Sequence, residues 1–204
     1  MGFGYKTAWI AAHTQDGVRL CGALGLRNTV PCAAEVGIAA ACSSSRKAFV
    51  APPVQGWSLC VANGFFQVAD SRPPEFGELA ARLSAELECE VQFFASHRVV
   101  EAHAWARARA GKLVRAYLYV GEQGEKVVDV GAPTAEEREL GFAFFDPSSP
   151  DANTNTYWGR EDLQYPDEEH VVLLAGRWSV NPVDLNDLGS GTLADIDVGS
   201  PLFG

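Results

Sequence analysis

A strict two-residue alternation of side-chain types between residues 101 and 120 constrains the fold more than any other feature of the sequence. Alanine occupies positions 102, 104, 106 and 108, and larger polar or aromatic side chains occupy the odd positions between them. Successive side chains of a β-strand point to opposite faces, so this period predicts a strand with one apolar face. The stretch from Leu113 to Val120 alternates in the same way and predicts the partner strand of an antiparallel hairpin.

The register of this hairpin decides which side chains share a face. We predict a three-residue turn, Arg109-Ala110-Gly111, with Gly111 left-handed, because that turn gathers the small aliphatic side chains on one face. Trp105 would then lie opposite Arg115, and His103 opposite Tyr117. The apolar face would pack under helices and contain Ala102, Ala104, Ala106, Ala108, Val114, Ala116, Leu118 and Val120. The other face would carry Glu101, His103, Trp105, Arg107, Arg115, Tyr117 and Tyr119.

The remaining patterns predict an α/β chain of the α+β type, with a mainly antiparallel central sheet, a β-hairpin meander and helices packed on one face. The clearest helix follows residue 74, where apolar side chains recur at helical spacing at Phe76, Leu79, Ala80, Leu83 and Leu87. Thr134 and Glu137 have the spacing of a capping box and predict a short helix. Asp167 is positioned to cap the last helix.

Two other stretches predict little regular structure. Residues 28–53 are punctuated by Pro31 and by Pro52-Pro53, and hydrophobic periodicity is lost after residue 185. We therefore predict a single α/β domain over residues 1–185, followed by an irregular, acidic, Gly- and Asp-rich tail over residues 186–204.

The polar face of the hairpin is the candidate functional site. Aromatic and arginine side chains are enriched in interface hot spots, so we predict a binding surface made of Arg98, Glu101, His103, Trp105, Arg107, Arg115, Tyr117 and Tyr119. A catalytic alternative is a small hydrolase or transferase in which His97, Glu101 and His103 move protons. A third interpretation is structural, with the side chains satisfying one another beneath a loop. The sequence leaves all three open.

The formal net charge of −10 is concentrated towards the C-terminus. Residues 134–204 contain 3 basic and 14 acidic side chains, whereas residues 1–133 contain 13 basic and 12 acidic ones. Such a field repels nucleic acid phosphates and attracts basic protein surfaces. We therefore expect a basic protein partner and no nucleic acid, the alternative being a solvated face that only maintains solubility. Glu136, Glu139 and Glu161 have no predicted local role and are the predicted probes of this field.

No sequence pattern indicates a metal site or a cofactor. The five cysteines are widely spaced, and we interpret Cys21, Cys60 and Cys89 as small buried residues in a reducing compartment. The apolar runs are far shorter than the roughly 20 residues that cross a bilayer, and no signal peptide is evident. We therefore expect a cytoplasmic protein with no membrane partner, and the sequence predicts no particular oligomeric state.

Several strand starts and helix ends resemble those of bacterial α/β proteins. They are Ala8-Trp9-Ile10, Ala23-Leu24-Gly25-Leu26, Gly56-Trp57-Ser58-Leu59 and the stretch from Arg98 to Trp105. Small acidic α/β proteins of this kind are common among the immunity proteins of polymorphic toxin systems, which the chain resembles in outline over residues 7–180. The resemblance implies a non-enzymatic protein-binding domain that neutralises a basic toxin or another basic partner. It carries no catalytic residues across.

Overall fold

The computed structural model describes residues 2–66, 75–121 and 125–197, and within them nine strands form a single antiparallel sheet. The strands are β1 (Lys6–Ala12), β2 (Arg27–Ala33), β3 (Lys47–Val50), β4 (Ser58–Val61), β5 (Val91–His97), β6 (Ala102–Arg109), β7 (Lys112–Val120), β8 (Glu125–Val130) and β9 (Ser190–Asp195). Their order across the sheet is β2-β9-β3-β4-β1-β5-β6-β7-β8. The prediction of an α+β fold built on a mainly antiparallel sheet is confirmed.

Helices cover both faces of this sheet, where the sequence predicted helices on one face. They are α1 (Gly17–Ala23), α2 (Ala34–Ser43), α3 (Glu75–Leu87), α4 (Ala135–Glu139), α5 (Asn155–Trp158) and α6 (Glu168–Trp178). Helices α1 and α3 pack on one face, while α2 and α6 pack on the other. Both faces need cover because adjacent residues of the central strand β1, such as Trp9 and Ile10, are apolar and 0% exposed. None of the helices in the described ranges is long and apolar enough to cross a membrane.

In the central hairpin, the predicted faces are confirmed except next to the turn, and the predicted register is wrong. Ala104 pairs with Leu118, and both are buried in the core beneath α3. Trp105 points to the opposite face, as predicted, but it pairs with Tyr117 rather than with Arg115. The register differs by two residues, so Ala104, Trp105, Tyr117 and Leu118 keep their predicted faces while changing their partners.

The hairpin turn and a β-bulge together explain this shift. The turn has two residues, Ala110 and Gly111, both left-handed with φ of 48° and 73°, as a tight hairpin turn requires. A bulge follows at once, because Ala108 pairs with Leu113 and Val114 has no partner in the ladder. Val114, predicted in the core, is therefore 43% exposed, and Leu113 packs against the core in its place.

Two stretches predicted to be irregular contain regular structure. Residues 28–53 include most of β2 and all of α2 and β3, with Pro31 in the edge strand β2, where proline is tolerated. Residues Ser190–Asp195 of the predicted tail form β9, which lies between β2 and β3; residues 198–204 lie outside the described ranges. Helix α2, with the sequence AEVGIAAACS, has alanine and other apolar side chains on its exposed face as well as on its buried face. It therefore lacks the contrast between an apolar and a polar face that reveals a helix in a sequence.

The predicted helix caps at the C-terminal end are confirmed. The Thr134 hydroxyl accepts a hydrogen bond of 3.2 Å from the Glu137 backbone, and the Glu137 carboxylate accepts one of 2.7 Å from the Thr134 backbone. Asp167 accepts from the backbone N–H groups of Glu169 and His170 at the start of α6. Both helices lie on the face of the sheet that carries the candidate site, where Trp105 donates to Glu137 of α4 and Phe94 contacts Trp178 of α6.

Candidate functional site

The predicted binding face of the hairpin turns towards the protein's own aromatic residues. The indole of Trp105 stacks on Tyr117 with ring centroids 4.4 Å apart, and the Phe144 ring lies 6.0 Å from Trp105 and 5.5 Å from Tyr117. Six of the predicted binding residues are buried: His103, Trp105, Arg107, Arg115, Tyr117 and Tyr119. The other two, Arg98 and Glu101, are exposed.

Arg115 occupies an internal ionic site. It is 3% exposed; its Nε donates to both carboxylate oxygens of Glu137, at 3.0 and 3.1 Å, and its Nη1 donates to Asp129 at 2.5 Å. The carbonyls of Val130 and Gly131 accept two further bonds from Nη1. A buried guanidinium requires such satisfaction because the cost of leaving it unpaired is several kcal/mol.

Arg107 lies opposite Arg115 in the neighbouring strand β6 and forms a second ionic site beside it. Its Nε donates to Glu90 at 2.6 Å and its Nη1 donates to Glu136 at 3.1 Å, while its guanidinium lies 5.3 Å from the Trp178 ring centroid. Burial alone would raise the pKa of Glu90, but the hydrogen bonds from Arg107 and Gln92 hold it below its usual value. These contacts support the structural interpretation for this part of the face, and its role in binding a partner stays a prediction.

The three candidate catalytic residues do not form one cluster. His97 lies in β5 on the α3 side of the sheet, with its ring 5.3 Å from Phe66. His103 lies on the α6 side, opposite Tyr119, and its Nδ1 is 3.3 Å from the Ser96 hydroxyl. Burial lowers the pKa of His103 to about 4, so the ring is neutral near pH 7.

Glu101 and His103 both line one cleft, which we call the acidic cleft. Its volume is about 490 Å³, and it is lined by Arg98, Glu101, His103, Tyr119, Gly121, Tyr165, Pro166, Asp167 and Glu168. The rings of Tyr119 and Tyr165 form an aromatic wall, with centroids 6.3 Å apart. Four of the predicted site residues therefore share this cleft: Arg98, Glu101, His103 and Tyr119.

The sequence interpretation missed the other side of the acidic cleft. Residue 165 is placed there by a short parallel bridge between Phe144 and Gln164, whose backbone bonds are 3.0 and 3.1 Å long. The Asp167 cap then turns the chain into α6. Although burial would raise the pKa of Asp167, its hydrogen bonds with His170 hold it below the usual range. The one available signal was the acidic run Asp167-Glu168-Glu169, which the sequence explained only as a helix start.

About half of the C-terminal carboxylates have a basic side chain as a partner. Seven carboxylates of residues 134–197 form ion pairs: Glu136, Glu137, Asp146, Asp162, Asp167, Asp195 and Asp197. Glu136 is therefore not a free probe of the acidic field, contrary to the sequence prediction. The other seven make no ion pair with any described residue: Glu139, Asp151, Glu161, Glu168, Glu169, Asp184 and Asp187.

Neither a metal site nor the comparisons with known proteins assign a function. Across residues 2–66, 75–121 and 125–197, no group of three or more His, Cys, Asp or Glu side chains is placed to hold a metal ion. Fold and cleft together define an α+β protein with a nine-stranded antiparallel sheet and an acidic, aromatic cleft at one edge of its hairpin. No protein-family model matches the chain, and no curated protein or solved structure shows significant similarity to it.

Proposed function

We propose that the protein is a non-enzymatic binding domain that captures a basic protein partner, in the manner of an immunity protein that neutralises a basic toxin. The observation that carries this proposal is the acidic cleft. Three carboxylates and two tyrosine rings converge there around an open volume of about 490 Å³, within the range of roughly 300–1,000 Å³ that is common for ligand sites.

Charge supports the same role. The carboxylates of Glu101 and Glu168 border the cleft without an ion pair to any described residue, and Glu169 follows on an exposed helix turn. Unpaired carboxylates that share one surface attract basic groups and accelerate association with a basic partner. Ion pairs with basic side chains offset part of the remaining acidic charge.

A hydrolase or transferase using His97, Glu101 and His103 is a second hypothesis with less geometric support. His97 lies on the far face of the sheet and does not line the cleft. The hydroxyl next to His103 belongs to Ser96, which is 0% exposed and cannot meet a substrate without rearrangement.

The test is a matched pair of charge reversals. Glu168→Lys/Glu169→Lys reverses two first-turn acids beside the cleft, and Glu35→Lys/Glu78→Lys reverses two first-turn acids of α2 and α3. Both double variants change the net charge equally and remove similar helix-dipole contacts. A labelled short oligo-lysine peptide is the probe, followed by fluorescence anisotropy over a range of salt concentrations.

We expect the first variant to weaken peptide binding about tenfold and the control to weaken it about twofold or less. Binding to the natural chain should weaken as salt rises, most steeply below about 0.15 M, where the screening length exceeds about 8 Å. Equal effects of the two variants, or no binding by the natural chain, would overturn the proposal.

A further inference from the structure

The hydroxyl of Tyr117 is buried and has no hydrogen-bond partner among the described residues. Tyr117 is 3% exposed, and its ring is held by stacking on Trp105 and by the Phe144 ring 5.5 Å away. Burial raises the pKa of Tyr117, so the hydroxyl is neutral and can donate one hydrogen bond and accept another. An unsatisfied buried hydroxyl is destabilising, and phenylalanine would pack in the same way without it. The hydroxyl therefore indicates a bound group from outside the chain.

A cavity of about 150 Å³ lies beside this side chain, and we call it the Tyr117 cavity. The carboxylates of Asp129 and Asp146 line the cavity, and after burial they add to the increase in the pKa of Tyr117, so the hydroxyl lies towards its polar part. Lys126 and Phe144 also line the cavity and are half-buried, so it is connected to solvent. A cavity of about this volume holds a molecule the size of benzene.

The charged side chains of the Tyr117 cavity are already paired with one another. Arg115 donates hydrogen bonds to the carboxylates of Asp129 and Glu137. Lys126 donates to Asp146 at 2.6 Å and lies 3.1 Å from a carboxylate oxygen of Asp129. A charged ligand would have to break one of these ion pairs or remain unpaired away from water, and both are unfavourable. The cavity therefore favours a neutral ligand.

The apolar part of the lining is mainly aromatic. Phe142, Phe144 and Phe145 line the cavity together with the ring of Tyr117. The ring centroids of Phe142 and Phe144 are 5.4 Å apart, within the range in which aromatic rings attract one another. An aromatic ring that carries a single hydroxyl matches both parts of the lining, because the ring packs on phenylalanine and the hydroxyl exchanges a hydrogen bond with Tyr117.

We propose that the Tyr117 cavity binds a small neutral phenol, whose ring lies against Phe142 and Phe144 and whose hydroxyl hydrogen-bonds with the hydroxyl of Tyr117. No residue lines both this cavity and the acidic cleft. The inference therefore goes beyond capture of a basic partner and does not depend on it.

The test is calorimetric titration at pH 7 with phenol, with benzene, which lacks the hydroxyl, and with benzoate, which carries a charge. We expect phenol to bind with a Kd below about 1 mM and the other two to bind at least about tenfold more weakly. Tyr117→Phe should weaken phenol binding about tenfold and leave benzene binding unchanged. The control Tyr5→Phe, which removes a hydroxyl from a residue that is 40% exposed and does not line the cavity, should bind phenol as the natural chain does.

Thermal unfolding without ligand is a second measurement. Tyr117→Phe should melt at the same temperature as the natural chain or higher, because it removes an unsatisfied group and leaves no space behind. A decrease of more than about 4 °C would mean that ordered water already satisfies the hydroxyl, and it would overturn the inference. Absence of saturable phenol binding, or equal binding by Tyr117→Phe and the natural chain, would also overturn it. Each of these results leaves capture of a basic partner standing, because the acidic cleft is a separate site.

Discussion

The indole Nε1 of Trp105 donates a hydrogen bond of 3.0 Å to Oε1 of Glu137, and this contact joins the central sheet to α4. The same carboxylate accepts from Arg115 at 3.0 Å and from the backbone of Thr134 at 2.7 Å. A residue that the sequence identifies as one half of a local capping box is therefore 2% exposed. Its hydrogen bonds with Trp105 and Arg115 hold the segment after β8 against the candidate binding face.

The first prediction concerns this carboxylate. Glu137→Ala should lower the free energy of unfolding by about 3–5 kcal/mol, because it leaves the buried Arg115 without its main counter-charge and Trp105 without an acceptor. Glu139→Ala, which removes an exposed carboxylate from the same helix, should change stability by about 0.5 kcal/mol or less. Urea denaturation measures both. A loss below about 1 kcal/mol for Glu137→Ala would show that the internal ionic site contributes little.

The second prediction follows from the lowered pKa of His103. The ordinary value of 6.5 applies to the unfolded chain, and burial lowers the folded value to about 4. As the pH falls below 6.5, the histidine binds a proton in the unfolded chain but stays unprotonated in the folded chain. The free energy of unfolding therefore decreases progressively as the pH falls towards 4, by roughly 2 kcal/mol between pH 7 and pH 5.

His103→Gln is the matched variant, since it removes the titrating group and keeps a polar side chain. Its stability should depend less on pH than that of the natural chain over the same interval, before the carboxylates begin to protonate. Chemical denaturation at a series of pH values gives the two slopes. Identical slopes would contradict the assignment of this dependence to His103.

The third prediction tests the β-bulge. Ala116 is 0% exposed and its Cβ lies beneath α3, where a Cβ added at Gly77 would come within 3.5 Å of it. Ala116→Leu should overpack this region and lower stability by about 1–3 kcal/mol. Val114→Leu, two positions earlier and 43% exposed, should cost about 0.5 kcal/mol or less. The opposite ranking would mean that Val114 faces the core, as in the register predicted from the sequence.

The fourth prediction concerns thiol reactivity. Cys60 is 0% exposed, and burial raises the pKa of its thiol well above the usual value. Cys32 is half-buried at the edge of the sheet. Because the thiolate is the reactive form, alkylation of the folded chain followed by mass spectrometry should modify Cys32 long before Cys60. In denaturant both should react at similar rates. Early labelling of Cys60 in the folded chain would contradict the buried position of β4.

Much of the local structure could be predicted because it depends on residues close together in the chain. The alternation around Ala104 and Trp105 predicted both faces of the hairpin, since the period of a strand is two whatever its partner. The caps at Thr134 and Asp167 were likewise predictable, because a cap involves only the next two or three residues. Part of the acidic cleft could be predicted in the same way, because the alternation placed His103 and Tyr119 on one face and both line the cleft.

Only the tertiary structure decided how these elements combine. The two-residue turn and the bulge at Val114 together shift the register by two residues. The segment that forms β9 has no periodicity of its own, and it is a strand because it pairs with β2 on one side and β3 on the other. Arg107 and Arg115 were assigned to a binding surface because their counter-charges, Glu90 and Glu137, are distant in sequence. Tyr165 lines the cleft because the bridge between Phe144 and Gln164, also a contact between residues distant in sequence, places it there. The sequence by itself determined faces, caps and charge, because these depend on near neighbours; register, burial and the shape of the site depend on contacts between segments that no local pattern encodes.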